Sequence, residues 1–209
     1  MKRIISKINN LFKITGYFLF SFFKRIRLRN KNFTIFCNNC IGGCVYHLLG
    51  QKFLSPTINC YMNTNNFLKF LLNFEFYLDK SLVFKRDKND NIIGIIDDIE
   101  VVFNHASSEE KAAQEWNRRK ERINKDNLYA IIRELDYYET LPNEIILSLT
   151  KKYKNIVIIT FDKRKKKAPF YKYINLSGGK DEFTKNYFRI DLWARKWDFV
   201  RFLNKKRIK

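Results

Sequence analysis

Short β-branched runs limit what this chain can fold into. Ile92–Ile96, Leu128–Ile132 and Ile156–Phe161 are brief apolar stretches bounded by polar or turn-forming residues. Runs of that length suit strands buried in a sheet and are too short to make a helix worth burying. Phe33–Cys37 reads as a further strand, and Ile58–Met62 and Tyr171–Ile174 as candidates. Between them lie helical patterns. Val45–Leu49 makes a short helix. Asn63-Thr64 resembles an N-cap, followed by Phe67, Phe70, Leu71, Phe74 and Leu78 at helical spacing. Ser107-Ser108-Glu109-Glu110 opens a helix to about Ile123, and Asn143–Lys154 and Asp191–Leu203 complete the set. Strands alternating with helices predict an α/β domain: a mixed or largely parallel sheet flanked by helices, with an extra N-terminal amphipathic helix. The expected division is a basic aromatic helix over 1–30 and a single domain over 31–209 that ends in a basic tail.

The charge is concentrated at the two ends. Residues 1–32 carry nine basic and no acidic side chains, residues 33–150 carry 13 and 16, and residues 151–209 carry 19 and five, giving the formal +20. Part of the lysine excess matches the Lys, Asn, Ile, Phe and Tyr richness that an AT-rich genome writes by default. The rest points to an anionic partner. Residues 3–27 read as a helix in which six aromatics fall between Phe12 and Phe23, flanked by lysines and arginines. The uncharged stretch Ile14–Phe23 spans about 15 Å of helix, half a hydrocarbon core, which suits an interfacial helix on an anionic membrane surface. The competing reading is a helix that covers the domain's own core. No small-residue cleavage site follows Phe23, so the expected place is cytoplasmic, peripheral on the inner membrane face.

Cys37, Cys40, Cys44 and Cys60 have a spacing that could place four thiolates around zinc. Cys37 ends one apolar run and Cys60 lies within another, which instead reads as buried thiols in a reducing compartment.

Three segments carry candidate chemistry. In Cys37–Cys44, a strand leads through Asn38 and Asn39 to Gly42 and Gly43, an arrangement that can offer backbone N–H groups to phosphate, or simply make a tight turn. Around Asp97-Asp98-Ile99-Glu100, an extended chain would project Asp98 and Glu100 to one face and Asp97 to the other. Such carboxylates at a strand's end can hold Mg²⁺ or Mn²⁺ against a diphosphate; His105, seven residues after Asp98, is a candidate base. The alternative is a capped turn and a salt-bridging Glu. The third segment is Trp116-Asn117-Arg118-Arg119, with Arg122 one turn after Arg118. Arginine forks suit phosphate, and Trp116 can stack on a base or sugar or pack the helix to the sheet. A solvated basic face is the plain alternative.

Together, Cys37–Tyr46, Gly50, Ser55-Pro56, Gly94 through Glu100, His105, Trp116–Arg119 and Arg122-Ile123-Asn124 resemble a bacterial family labelled exopolysaccharide biosynthesis protein, whose members lie near capsule and cell-surface glycan genes. The resemblance covers about residues 30–180. It implies Ser where Cys37 stands and no fixed cysteine quartet, and it implies a pathway rather than a reaction. The expected activity is a glycosyltransferase that uses a nucleotide-sugar, a glycan acceptor and a divalent metal, with sugar or polyol phosphotransfer second. Asp98 and Glu100 would hold the metal with Asp97 as alternative ligand; the three arginines and the Asn38–Gly43 loop would face donor phosphates. A different class remains open, a non-catalytic basic module for nucleic acid or anionic glycan, drawing on Lys163–Lys167 and the basic tail. No recognised nucleic-acid module appears, so nucleic acid is not the expected partner.

Overall fold

A computed structural model describes residues 18–133, 143–160, 172–175 and 197–205. Residues 18–27 form the helix α1. There follow β1 (Thr34–Cys37), α2 (Ile41–Leu49), α3 (Thr64–Leu72), α4 (Phe74–Asp79), β2 (Val83–Arg86), β3 (Ile92–Ile96), β4 (Ile99–Val102) and α5 (Glu109–Lys120). The remainder are β5 (Leu128–Arg133), α6 (Asn143–Lys152), β6 (Asn155–Thr160), β7 (Lys172–Asn175) and α7 (Phe199–Asn204).

The strands form two sheets. β1, β5, β6 and β7 lie side by side in that order and all parallel, with Thr34 opposite Leu128 and Ala130 opposite Ile156. β2, β3 and β4 make a separate antiparallel meander. The parallel sheet is buried on both faces, and strand alternation sorts its side chains cleanly. Ile35, Cys37, Tyr129, Ile131, Val157 and Ile159 face a cluster built with α2, Trp197 and α7. Phe36, Leu128, Ala130, Ile132, Ile156 and Ile158 face the opposite cluster, built with α3, α4, Trp116 of α5, α6 and the inner side of the meander.

Local chemistry explains most boundaries. Asn63 caps α3 through Asn66 N–H, 2.8 Å, and Ser108 caps α5 through Lys111 N–H, 3.3 Å. The pattern over Phe67–Leu78 is two helices that meet at Asn73 rather than one. Ile58–Met62 is not a strand; Tyr61 makes only an isolated bridge to Val102.

α1 is amphipathic in an unusual sense, because both of its faces matter. On the inner side Ser21, Lys24 and Leu28 are buried and Phe20 packs on the core. Arg25 Nε donates to the Leu48 carbonyl at 2.9 Å; Arg27 and Lys24 reach the Asp198 carboxylate at 2.6 and 3.4 Å. On the outer side Phe18, Leu19, Phe22, Phe23 and Ile26 are each about half or more exposed. The linker is pinned too: Asn30 Nδ2 donates to Tyr129 Oη and the Leu203 carbonyl, both at 2.9 Å, and Asn204 Nδ2 donates to the Arg27 carbonyl. No helix among the described residues is long and apolar enough to cross a membrane.

Candidate functional site

The loop that leaves β1 is fixed by its own asparagines. Asn38 Nδ2 donates to the Arg133 carbonyl and its Oδ1 accepts from Arg133 N–H, both at 2.9 Å, which staples the ends of β1 and β5 together. Asn39 Oδ1 accepts from Ile41 N–H at 2.9 Å and from the Cys37 thiol at 3.3 Å; its Nδ2 is buried without a partner among the described residues. Both side chains hold the turn into α2 rather than facing solvent.

Gly42 and Gly43 serve close packing. A Cβ on Gly42 would lie 2.8 Å from Ile58 Cδ1 and 3.0 Å from Cys37 Cβ, and one on Gly43 would collide with Asn59 Oδ1. The glycine pair therefore lets the 55–60 loop press onto the first turn of α2. Asn59 at φ 62° accepts the left-handed conformation that this approach demands.

Across from this loop, α5 presents Trp116 and Arg119 inward. Trp116 is buried between Phe70 and Phe103, at ring distances of 6.3 and 6.0 Å, and so packs the helix to the core. Arg119 is 6% exposed. Its Nη1 donates to the Ile58 carbonyl at 2.8 Å, its Nη2 pairs with Glu115, and the Phe53 ring lies 5.2 Å away. Its Nε is buried without a partner among the described residues. Arg118 is exposed, with Glu115 at 4.0 Å, and Asn117 and Arg122 are exposed as well. The three arginines therefore do not converge: one is built into the fold and two face solvent.

His105 follows β4 and stands exposed, with its Nε2 3.4 Å from Cys40 Sγ. A cavity of about 260 Å³ opens beside it, with Asn59, Cys60, Glu115 and Arg119 as its other polar groups and Phe53 and Phe103 among its apolar walls. Asn59-Cys60, His105-Ala106 and the inner face of α5 thus meet at one cavity, and Cys40 reaches it through its contact with His105. Cys40 was visible in the sequence only as one of four cysteines, not as a partner of His105, and Phe53 carried no signal that singled it out.

The acidic segment lies elsewhere and has another geometry. Asp97 and Asp98 form the two-residue turn joining β3 to β4, with Asp97 at φ 54°, and Ile96 pairs with Ile99 across it. They sit on an antiparallel hairpin, not at the carboxyl end of a parallel strand, which corrects the extended arrangement expected from sequence. Short polar side chains tolerate the left-handed turn position, so two Asp can replace the usual Asn-Gly or Asp-Gly. Asp98 accepts from Lys69 Nζ at 2.6 Å and Tyr77 Oη at 2.8 Å, and Glu100 from Lys85 Nζ at 2.5 Å. The Lys69 and Tyr77 hydrogen bonds hold the Asp98 carboxyl below its ordinary value. Burial, with Asp98 beside it, pushes the Tyr77 hydroxyl up to about 12. Among the described residues no three His, Cys, Asp or Glu side chains are grouped to hold a metal ion.

The cysteines do not form a quartet. Cys37 packs in one core cluster and Cys60 in the other. Burial pushes the thiols of Cys37 and Cys60 up to about 12 and that of Cys44 up to about 11. Lys163–Lys167 and most of the basic tail lie outside the described residues.

A four-stranded parallel α/β core, with a small polar cavity beside the loop that leaves its first strand, defines the class of protein. The chain belongs to the DUF1919 family, described as a domain of unknown function, whose pattern matches residues 11–204. That match takes in all of α1 and α7, which the sequence resemblance had left outside. An uncharacterized protein of Haemophilus influenzae is 34% identical over 134 residues, a stretch that covers 64% of this chain and 64% of the relative.

Proposed function

We propose that the protein is a membrane-associated transferase of exopolysaccharide or capsule assembly, working on the cytoplasmic face with a nucleotide-sugar donor and a glycan acceptor. One observation carries the reading: two of the separated segments that resemble the exopolysaccharide family meet at one cavity, with His105 at the rim and Arg119 in the wall, and Cys40 of a third segment touches His105. An exposed imidazole beside a polar pocket can take the proton of an acceptor hydroxyl. Mg²⁺ or Mn²⁺ enters as a cation carried by the donor diphosphate, because Asp98 and Glu100 are already paired with Lys69 and Lys85.

Membrane association draws on α1. Its inner face is tied to the domain, while its outer face offers Phe18, Leu19, Phe22, Phe23 and Ile26 beside a sequence rich in basic residues. Aromatic and aliphatic side chains can enter the headgroup boundary while lysines and arginines meet anionic lipid. The two readings of this helix, membrane contact and core cover, are then properties of opposite faces.

The test is a thermal-shift screen of the full chain against UDP-, GDP- and CMP-sugars, with and without Mn²⁺, followed by a transfer assay on any donor that binds. Stabilisation by a donor, with transfer lost in His105→Gln while binding persists, supports the reading. Absence of donor binding, together with tight DNA or RNA retention that collapses as salt rises, would replace it with the basic binding module.

A further inference from the structure

We infer that Cys40 and His105 are a nucleophile and its base, and that the electrophile they take is the anomeric carbon of a sugar-phosphate donor. The choice of electrophile rests on the transferase reading; the pairing itself does not. Cys40 Sγ and His105 Nε2 are 3.4 Å apart, a distance over which a thiol proton passes to an imidazole. Cys40 is also the N-cap residue of α2 and is followed by a first turn free of acidic residues. The positive end of the α2 helix dipole thus lies beside Cys40. His105 lines the cavity, and the buried Arg119 in the same wall puts a fixed positive charge beside it. The other cysteines are set apart by environment, since burial keeps Cys37, Cys44 and Cys60 as thiols.

The chemistry is a double displacement. Cys40 Sγ bonds to the anomeric carbon as the bond from that carbon to the donor phosphate oxygen breaks, and the nucleoside diphosphate leaves with the electron pair. The thiol proton goes to His105 Nε2 and on to the departing phosphate. In the second step His105 takes the proton of the acceptor hydroxyl, whose oxygen displaces Sγ from the same carbon. The sulfur leaves with its electron pair and recovers the proton from His105. Two inversions retain the anomeric configuration.

The experiment has two arms on the full-length protein. In the first, iodoacetamide at neutral pH is followed by peptide mass mapping of the wild type, His105→Gln and His105→Asn. Because His105 is exposed, both variants are expected to fold, and circular dichroism checks that they do. Cys40 should be alkylated at least about tenfold faster than the other three cysteines, and both variants should slow it by about tenfold. An unselective rate, or a Cys40 rate indifferent to residue 105, overturns the pair. In the second arm, UDP-glucose, UDP-galactose and UDP-N-acetylglucosamine are each incubated with the protein and intact mass is recorded after acid quench. A sugar adduct that maps to Cys40 and is absent from Cys40→Ser supports the full inference. Fast, His105-dependent alkylation with no adduct from any of the three overturns the sugar electrophile and leaves the pair. Donor binding without selective alkylation overturns the pair and leaves the transferase reading.

Discussion

Replacing Arg119 separates a ligand contact from a structural one, and the structure fixes the size of the effect. Arg119 spans two elements: Nη1 supplies the Ile58 carbonyl at 2.8 Å, and Ile58 is fully buried. A hydrogen bond from a charged donor to a buried acceptor contributes about 1.5–3 kcal/mol. The Phe53 ring adds about 0.5–1 kcal/mol of cation–π attraction. The Glu115 pair adds less than about 1 kcal/mol, because half of that carboxylate side chain is exposed and screened. Arg119→Ala should therefore cost about 2–5 kcal/mol, which for a chain of this size lowers Tm by about 4–20 °C. Arg119→Lys keeps the charge but reaches one partner at a time, and should cost about half as much. Urea titration monitored by tryptophan fluorescence measures both. If Arg119→Ala melts with the wild type yet loses donor binding, the residue is a ligand contact and the structural account is wrong.

Three further outcomes are expected. Asp198→Asn should loosen α1 from α7: burial pushes this carboxyl up, but Arg27, the Arg201 amide and Lys24 together hold it below its ordinary value. Its contribution is thus present above the unfolded carboxylate pKa of about 3.9 and is lost as pH falls through the lower folded value, so acid titration of both proteins should show their stability gap closing only below about pH 4. Phe22→Glu with Phe23→Glu should abolish sedimentation with anionic vesicles and leave Tm within about 2 °C, since both side chains are exposed; unchanged sedimentation would remove α1 from the membrane. Gly42→Ala gains about 1 kcal/mol of helix propensity but overpacks against Ile58 and Cys37 Cβ, so a net loss of about 0–2 kcal/mol in urea is expected, and a clear stabilisation would refute the close-packing account.

Buried strands were legible as apolar runs: those from Leu128 and Ile156 agree with β5 and β6 of the parallel sheet, and Ile92–Ile96 with β3 of the meander, to within a residue or so. What periodicity could not supply was partnership. β3 has the same composition as its parallel counterparts yet belongs to the meander, because its partners are the mostly exposed β2 and the hairpin strand β4. β2 escaped notice since Val83–Arg86 has no buried face to pattern it. The Asp-Asp turn lacked the glycine that usually marks a hairpin, and the whole acidic segment was therefore read as extended. At the site, His105, Arg119 and the Cys37–Cys44 loop were all visible as segments. That Arg119 turns inward while Arg118 and Arg122 do not follows from the α5 face set by Trp116 and Ala112, which the charge run obscured.

The attachment of α1 to α7 imposes an order on synthesis. Asp198 and Asn204, which hold α1 and the linker after it, are made more than 170 residues after the groups they bind. β1 likewise waits for β5 before it has a partner. A growing chain thus has the Leu48 contact of Arg25 within reach early but lacks the Asp198 and Asn204 ties of α1 for nearly the whole time the domain is being translated. Completion of α7 is the event that fixes the inner face of α1 to the domain.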